Sequence, residues 1–313
     1  MSFSSETKNE MAAVTPEKRC CMLAEISGIL RTCGKIRLEG LNKVSYVIMT
    51  ENAAVARRVI RLMKEYFSIR LELQVEKNTG LKKTNVYSMT ISEDMRCQEI
   101  LRETGILRVR DGFNVFDYGI DESIIRRKCC KRAFLRGAFL GSGSITNPKK
   151  SYQMEIVVSN ELLSANLIRL MGQLGLEASE FMRRESYVVY MKDSSMISDF
   201  LGITGGHTAL FELENTKAEK EMKNLANRIN NCDTANIDKT VAASEKHIQA
   251  IKKIMNTKGL DILPPKLREV ALLRLEEPGA SLTDLGQMLN PPLGKSGVNH
   301  RLAKVLEISE KIR

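Results

Sequence analysis

Hydrophobic and polar residues follow the same order of helix and strand periods in two successive stretches of the chain. Apolar residues at helical spacing predict amphipathic helices at residues 18–33, 53–66, 128–142 and 161–174. Segments rich in β-branched and aromatic residues predict strands at residues 45–50, 86–91, 153–159 and 187–191. Helix and strand mixed within each stretch indicate an α+β fold, with the helices on one face of an antiparallel sheet.

An internal repeat explains why this order recurs. Residues 18–36 and 127–145 align without a gap at a constant offset of 109 residues. The identical pairs are Cys20/Cys129, Cys21/Cys130, Ala24/Ala133, Gly28/Gly137, Gly34/Gly143 and Ile36/Ile145. The first 215 or so residues are therefore predicted to be two copies of one unit, related by a pseudo-twofold axis.

Glycine recurs in the middle and at the end of the repeated helix. Gly28 and Gly137 lie in its middle, where glycine costs about 1 kcal/mol relative to alanine. Close packing of the two repeated helices would offset this cost, and a local kink at each glycine is the alternative. Gly34 and Gly143 end the helix and are predicted to adopt the left-handed conformation of a C′ residue.

Residues 26–34 and 135–143 resemble the nine-residue motif of the LAGLIDADG homing endonucleases, including the glycines at its third and ninth positions. The resemblance implies that the two motif helices form the interface between two halves, and that acidic residues at the eighth position bind the metals that cleave DNA. Here the eighth positions are Cys33 and Ser142. Because a thiol and a hydroxyl cannot replace the carboxylate ligands of Mg²⁺, we expect no metal site, no catalytic residue and no enzyme activity.

The charge balance favours an acidic partner, with nucleic acid first. The chain carries 48 Lys and Arg against 38 Asp and Glu, a net charge of +10. A hydrophobic fraction of 43% excludes a disordered chain. An aromatic fraction of 5% without Trp argues against carbohydrate clefts and against aromatic platforms for single-stranded nucleic acid.

One stretch, residues 123–154, contains no Asp or Glu. Its eight basic residues are Arg126, Arg127, Lys128, Lys131, Arg132, Arg136, Lys149 and Lys150. They are consistent with a phosphate-contacting surface or with a docking face for an acidic protein. A charge run is also the usual pattern of a solvated helix face, and the sequence leaves these interpretations open.

The carboxyl-terminal third has helical periodicity throughout. A linker helix is predicted at residues 217–232, and a longer helix at residues 236–255. The apolar stripe of the longer helix comprises Ile237, Val241, Ile248, Ile251 and Ile254. Such a stripe is typical of an amphipathic helix.

Three shorter helices are predicted next. Pro265 suits the first turn of one, and Ser281 begins the second with a capping-box-like pattern. A tight turn at residues 290–294 leads to the third, at residues 295–306. Two short helices joined by a tight turn are the pattern of a helix-turn-helix, so this region is predicted to be all-α.

The last helix has one apolar face and one acid-free polar face. With Ser296 taken as the N-cap, the apolar face comprises Val298, Leu302, Val305 and Ser309. The candidates for base contacts, near the amino terminus of the helix, are Ser296, Asn299 and His300. The candidates for phosphate contacts are Lys295, Arg301 and Lys304. An ordinary three-helix bundle with a solvated basic face is the alternative.

The seven cysteines do not suggest a disulfide framework, because their number is odd and they include the adjacent pairs Cys20–Cys21 and Cys129–Cys130. The chain contains no CxxC, and its three histidines lie far from these pairs, so packing cysteines are favoured over a structural zinc site. No cofactor is implied. The polar amino terminus and the lack of a long apolar stretch lead us to expect a cytoplasmic protein without a membrane partner.

A degenerate LAGLIDADG pair followed by this helix-turn-helix is similar to the WhiA-type regulators of Gram-positive bacteria. The runs at residues 234–239 and 281–302 carry the resemblance, which covers nearly the whole chain. It implies a nucleoid-associated transcription regulator of sporulation and cell-division genes that binds double-stranded DNA and, in some relatives, works with a WhiB-like iron–sulfur protein. Gly294 departs from the usual family run, in which a polar residue often precedes Lys295.

The predicted domains are an amino-terminal tail (1–17), two LAGLIDADG-like halves (18–118 and 119–216), the linker helix (217–232) and the helix-turn-helix domain (233–313). Two other functions stay open. One is a metal-dependent LAGLIDADG endonuclease. The other is an adaptor that binds a cell-division protein and contacts DNA only incidentally.

Overall fold

The computed structural model describes residues 1–16, 18–38, 44–77 and 85–312. The described residues fall into two units, Met1–Glu219 and Lys220–Arg313. The first unit mixes helix and strand and the second is helical, as the α+β and all-α assignment predicted.

The first unit contains two repeated sets of helices and strands. Its helices are α1 (Phe3–Ala13), α2 (Arg19–Cys33), α3 (Ala53–Phe67), α4 (Cys97–Glu103), α5 (Lys128–Ser142), α6 (Glu161–Gly172) and α7 (Ser194–Thr204). Its strands are β1 (Gly34–Leu38), β2 (Val44–Thr50), β3 (Leu73–Lys77), β4 (Asn85–Ile91), β5 (Leu107–Arg110), β6 (Phe113–Phe116), β7 (Gly143–Ile145), β8 (Met154–Val158), β9 (Ser179–Arg183) and β10 (Ser186–Met191). Each predicted helix and strand of the repeat is present within two residues of its predicted ends.

The two main sheets have the same topology, which confirms the internal repeat. One sheet has the order β1-β2-β4-β3 and the other β7-β8-β10-β9, and every neighbouring pair is antiparallel. The equivalent glycines even keep the same register, since Gly34 lies opposite Ile48 and Gly143 lies opposite Ile156. Strands β5 and β6 form a separate hairpin, which lies in the sequence between the strands of the two main sheets.

The motif helices α2 and α5 pack against each other where the sequence places its mid-helix glycines. A Cβ atom on Gly28 would lie 2.4 Å from the carbonyl oxygen of Phe134, and one on Gly137 would lie 2.2 Å from that of Glu25. These separations are far below van der Waals contact, so only glycine allows this approach. The close-packing interpretation is therefore confirmed over the local-kink alternative.

The glycines that end the two helices are required for a different reason from the one predicted. Gly34 and Gly143 have extended backbones, with φ of −99° and −70°, and not the left-handed conformation. Each begins a strand directly after its helix. A Cβ on Gly34 would lie 2.1 Å from the ring of Tyr46, and one on Gly143 would lie 2.3 Å from the ring of Phe139. Steric space for an aromatic ring, rather than a positive φ, selects glycine here.

The remaining helices follow in sequence. They are α8 (His207–Thr257), α9 (Pro265–Glu276), α10 (Leu282–Met288) and α11 (Lys295–Lys311). The linker helix predicted at 217–232 and the helix predicted at 236–255 are parts of one helix, α8. Residues 207–257 contain no Gly or Pro, so the sequence offers no strong helix breaker between them.

The second unit has two small cores formed by α8–α11. One combines Ile251 and Ile254 of α8 with residues of α9 and α11, and the other joins α9, α10 and α11. The predicted apolar stripe of α8 is buried only at its carboxyl-terminal end, because Ile237 and Val241 are 62% and 58% exposed. The core is thus confined to the last turns of α8 and the three helices after them.

The predicted amino-terminal tail is instead largely helical. Phe3, Met11 and Ala12 of α1 are buried in the core of the first unit. The Glu10 carboxylate accepts hydrogen bonds from the backbone N–H groups of Thr208 and Ala209, in the first turn of α8. Apolar burial together with this capping bond holds α1 in place.

Candidate nucleic-acid interface

Helices α10 and α11 form the predicted helix-turn-helix, and the turn between them depends on Gly286. The Leu293 N–H donates to the Gly286 carbonyl at 2.8 Å, so the turn folds back onto α10. A Cβ on Gly286 would lie 2.0 Å from the Leu293 carbonyl oxygen. A larger residue would therefore displace the turn and the helix that follows it.

The start of α10 is the capping box that its sequence suggests. The Ser281 hydroxyl accepts from the Asp284 N–H at 3.2 Å, and the Asp284 carboxylate accepts from the Ser281 N–H at 3.1 Å. Hydrogen bonds from the side chain and the backbone of Ser281 lower the pKa of Asp284. The ionised carboxylate also suits the positive end of the helix dipole.

The predicted faces of α11 agree with their burial. Val298, Leu302, Val305 and Ser309 are all buried, as expected for the core face. The residues exposed on the opposite side include Lys295, Ser296, Asn299, His300 and Lys304. This part of α11 therefore presents donors, acceptors and positive charge to the solvent.

Two details of the predicted reading face differ in the structure. The N-cap of α11 is Gly294 and not Ser296, so Ser296 lies in the first turn. The Arg301 side chain is only 18% exposed, lies 3.7 Å from the Glu269 carboxylate and donates to the Lys266 carbonyl. Arg301 thus packs against α9. Of the six residues predicted to contact DNA, Arg301 is the least exposed and has the least basis for that role.

Buried polar residues that the sequence analysis missed hold the connection between α9 and α10. Arg274 is 2% exposed, and its guanidinium donates to the Ala280 carbonyl at 2.7 Å and, at longer distances, to Pro278 and Ser244. Burial lowers the pKa of Arg274. An arginine within an apolar helical run gives no sequence signal that separates a buried from an exposed side chain.

His247 lies beside this arginine and is also buried. Burial and then the charge of Arg274 lower the pKa of His247 below its ordinary value of 6.5. Within the described part of the chain, the His247 Nδ1 atom has no hydrogen-bond partner. These surroundings favour the neutral form of His247.

One of the eight basic residues in the acid-free window, Arg136, is wrongly predicted as surface. It is 7% exposed and donates to the Glu25 carboxylate at 2.8 and 3.0 Å. Arg58 donates to the two oxygens of the same carboxylate at 2.7 and 3.0 Å. Glu25 is fully buried, so these three residues form an internal ionic cluster between α2, α3 and α5.

The other basic residues of the window do not form one continuous run. Arg126, Arg127, Lys128 and Arg132 are exposed and Lys131 is half-buried, near the amino-terminal end of α5. Lys149 and Lys150 are exposed beyond β7, at the other end of α5. Helix α5 carries part of the first group in its first turns and is about 22 Å long at 1.5 Å per residue.

The degenerate catalytic positions lie at the carboxyl-terminal ends of α2 and α5, and neither position carries a carboxylate. The Cys33 thiol donates to the Ile29 carbonyl, and burial raises its pKa to about 12. The Ser142 Oγ atom is buried and has no hydrogen-bond partner among the described residues. Lys8 of α1 interacts electrostatically with Cys33 and Glu51, and burial lowers its pKa to about 8. A neutral thiol, a hydroxyl and an ammonium do not replace carboxylates as ligands of Mg²⁺.

The structure brings together the two cysteine pairs that the sequence analysis treated separately. The Sγ atoms of Cys20, Cys21, Cys129 and Cys130 all lie within 4.8 Å of one another. The signal that would have found this cluster is the repeat itself. Equivalent residues in the first turns of two helices that pack about a pseudo-twofold axis meet at that axis.

None of the described helices is both long and apolar enough to cross a membrane.

Three family models match the chain. They are described as the WhiA N-terminal LAGLIDADG-like domain, matching residues 19–107, the WhiA LAGLIDADG-like domain, matching residues 131–223, and the WhiA C-terminal HTH domain, matching residues 226–309. Their order along the chain agrees with the two repeated halves and the helical second unit.

Similar proteins cover essentially the full chain. It is 44% identical to "Probable cell division protein WhiA" of Alkaliphilus metalliredigens, over 100% of this chain and 99% of that protein. It is 46% identical to the protein of the same name of Thermoanaerobacter pseudethanolicus, over 100% of this chain and 98% of that protein. Among solved structures, it is similar to full-length DUF199/WhiA from Thermatoga maritima, with 27% identity, 99% coverage of both chains and a TM-score of 0.61.

Proposed function

The chain belongs to the WhiA family, and from this premise we propose that it is a sequence-specific, non-catalytic DNA-binding regulator of cell-division and sporulation genes. One observation carries the proposal. The amino-terminal part of α11 exposes Lys295, Ser296, Asn299, His300 and Lys304, while its opposite face is buried in the core. A helix fixed on one face and polar at its free amino-terminal end is suited to reading a DNA groove.

The mechanism requires no covalent chemistry. Lys295 and Lys304 pair with phosphates and set the register of α11 on the duplex. Asn299 donates and accepts hydrogen bonds in the major groove, where a side-chain amide matches the edge of adenine. The exposed and small Ala303 lets the helix lie close to the bases. Ser296 and His300 add further polar contacts at the amino terminus.

The lack of catalysis is proposed from the residues at the degenerate positions. Cys33 and Ser142 do not provide the anionic oxygens that a metal-dependent endonuclease needs, and the Lys8 ammonium opposes a dication there. The first unit then serves as an interaction surface, with a WhiB-like iron–sulfur regulator or another cell-division protein as the proposed partner. Bound to its operator, the protein is expected to lie in the nucleoid.

The test uses the full chain and an operator selected from random duplexes. Asn299→Ala should weaken binding to the operator about 5- to 150-fold and leave non-specific binding nearly unchanged, because it removes a base contact. Lys304→Ala should weaken both operator binding and non-specific binding. It should also reduce the slope of log K against log salt by about 0.9, because it removes one phosphate contact. Both constants are measured by fluorescence anisotropy at several salt concentrations.

Lys311→Ala is the matched control. Lys311 is an exposed lysine in the last turn of the same helix, away from the amino-terminal part that is proposed to contact the bases. The Lys311→Ala variant should bind DNA as the unaltered chain does. If Asn299→Ala and Lys304→Ala also bind unchanged, α11 is not the recognition helix. Cutting of plasmid DNA by the full chain with Mg²⁺ or Mn²⁺ would contradict the non-catalytic part of the proposal.

A further inference from the structure

The four clustered cysteines lie at equivalent places on the two motif helices. Cys20 and Cys21 follow the first residue of α2, and Cys129 and Cys130 follow the first residue of α5. Cys21 and Cys130 are buried, and Cys20 and Cys129 are half-buried. This end of the helix pair is opposite to the end that carries Cys33 and Ser142.

The spacing of the sulfur atoms matches that of a single tetrahedral ion. A Zn–S bond of about 2.3 Å places the four sulfurs of a tetrahedral site about 3.8 Å apart. The Sγ atoms of Cys129 and Cys130 are 4.0 Å apart, and no pair in the cluster exceeds 4.8 Å. Closing the cluster onto an ion therefore needs a contraction of no more than about 1 Å in any of these separations.

The surroundings compensate the negative charge that four thiolates and a dication would carry. The cluster sits at the positive ends of two helix dipoles, and Arg127 Nη1 lies 3.9 Å from the Cys20 Sγ atom. Among the described residues, neither N-cap side chain, Lys18 or Arg127, makes a capping hydrogen bond. Of the first-turn N–H groups, that of Cys21 already donates to the Lys18 carbonyl at 2.9 Å, so no more than the others are available to the cysteine sulfurs.

We propose that Cys20, Cys21, Cys129 and Cys130 form a Zn²⁺ site that joins the two LAGLIDADG-like halves across their pseudo-twofold axis. Four soft thiolates in a tetrahedral arrangement select zinc over magnesium or calcium. On binding, each thiol loses its proton to the solvent, and four S–Zn bonds form. The half-buried Cys20 and Cys129 leave a route for the ion.

An iron–sulfur cluster fits the same residues less well. The cysteines of such a cluster are divided between two or four iron atoms, so some of them stand further apart than ligands of one shared ion. A disulfide between the halves would instead use two of the four sulfurs and leave the other two free. Metal content and thiol state distinguish these outcomes.

The first experiment measures the unaltered full chain, purified without chelators under reducing, oxygen-free conditions. Inductively coupled plasma mass spectrometry should find about one zinc per chain and no comparable iron. After removal of zinc and addition of Co²⁺, the absorption spectrum should show thiolate-to-cobalt charge transfer and the intense d–d bands of a tetrahedral site. Both results depend only on the folded protein as it exists.

The second experiment compares two double variants with equal numbers of Cys→Ser changes. Cys20→Ser with Cys129→Ser removes two ligands, and zinc content should fall close to zero. Cys33→Ser with Cys232→Ser, outside the cluster, should retain about one zinc per chain. Circular dichroism reports whether each variant is folded, and the cobalt spectrum of the unaltered chain decides the question if the first variant is not.

Three outcomes would overturn the proposal. The unaltered chain could fail to take up zinc even after incubation with excess Zn²⁺, and show no charge-transfer band with Co²⁺. It could contain iron and sulfide in place of zinc. Intact-mass and peptide analysis could also show a disulfide between the two halves in the protein purified under reducing conditions.

Discussion

Buried arginines are used in opposite ways in the two units of the molecule. In the first unit, Arg58 and Arg136 share the fully buried carboxylate of Glu25. In the second, Arg274 is buried against backbone carbonyls and the Ser244 hydroxyl. The first arrangement binds three helices together by charge, and the second fixes a loop by hydrogen bonds. A basic residue in either unit can therefore contact DNA only if its side chain reaches the solvent.

Helix packing explains why two acid-free segments, helix α5 and residues 295–306 of α11, differ in burial. Residues 133–140 of α5 are all buried, because α5 packs against α2 on one side and against other elements of the second half elsewhere. By contrast, α11 is covered on one face only, and its exposed face carries the polar residues. The same sequence feature, a run without acids, has a structural role in one helix and an exposed surface in the other.

The ionic cluster gives the largest expected effect. Glu25→Gln leaves Arg58 and Arg136 buried without their shared carboxylate, and should lower the free energy of unfolding by about 3–5 kcal/mol. Urea denaturation followed by far-ultraviolet circular dichroism measures the change. Glu122→Gln is the control, because it breaks an exposed pair with Arg169 and should cost less than about 1 kcal/mol. Equal effects of the two changes would show that the buried cluster contributes no more than a surface pair.

Part of this arrangement could be predicted from the sequence and part could not. The repeat predicted the packing of α2 on α5, because glycine at equivalent positions of both helices favours a close approach over two separate local kinks. The burial of Arg136 was not predictable, since its partner Glu25 lies 111 residues away and only tertiary packing places them together. The faces of α11 were predictable because periodicity alone defines them, whereas the inward turn of Arg301 depends on Glu269 of another helix.

The second largest effect on the free energy of unfolding is expected at the glycine contact between the motif helices. In Gly137→Ala the new methyl group would overlap the Glu25 carbonyl oxygen, so α2 and α5 must separate. We expect a loss of about 1–3 kcal/mol in the free energy of unfolding, typical of overpacking. The matched control is Gly172→Ala in α6, where a Cβ meets nothing within 4 Å. That change should stabilise the protein by up to about 1 kcal/mol, because alanine favours helix. Destabilisation of equal size by both changes would show that the interhelical contact at Gly137 is not its cause.

His247 provides a smaller effect that is specific to the second unit. Its pKa is lowered in the folded protein, so the unfolded chain binds a proton more readily than the folded one as the pH falls below about 6.5. The second unit should therefore lose stability on acidification from pH 7 towards pH 5. Hydrogen exchange of peptides from residues 244–280, measured across this range, follows the second unit alone.

His247→Gln should remove this part of the pH dependence, because glutamine does not titrate. His300→Gln is the control, since His300 is exposed on α11. It should leave the pH dependence of exchange as it is in the unaltered chain. If His247→Gln also leaves it unchanged, another group is responsible for the acid sensitivity.

The smallest effect is expected for the exposed lysines of the first unit. Substituting them compares the acid-free window at residues 123–154 directly with the acid-free part of α11. Lys149→Ala with Lys150→Ala and Lys295→Ala with Lys304→Ala each remove two exposed positive charges. If α11 alone contacts the backbone, the second pair should reduce the salt slope by about 1.8, and the first pair by less than about 0.5. A net charge change acts equally in both variants, so any difference arises from where the charges lie. Salt titrations of operator binding measure both slopes. Equal reductions would assign a phosphate contact to the loop after β7, and the acid-free window would then be a second DNA surface.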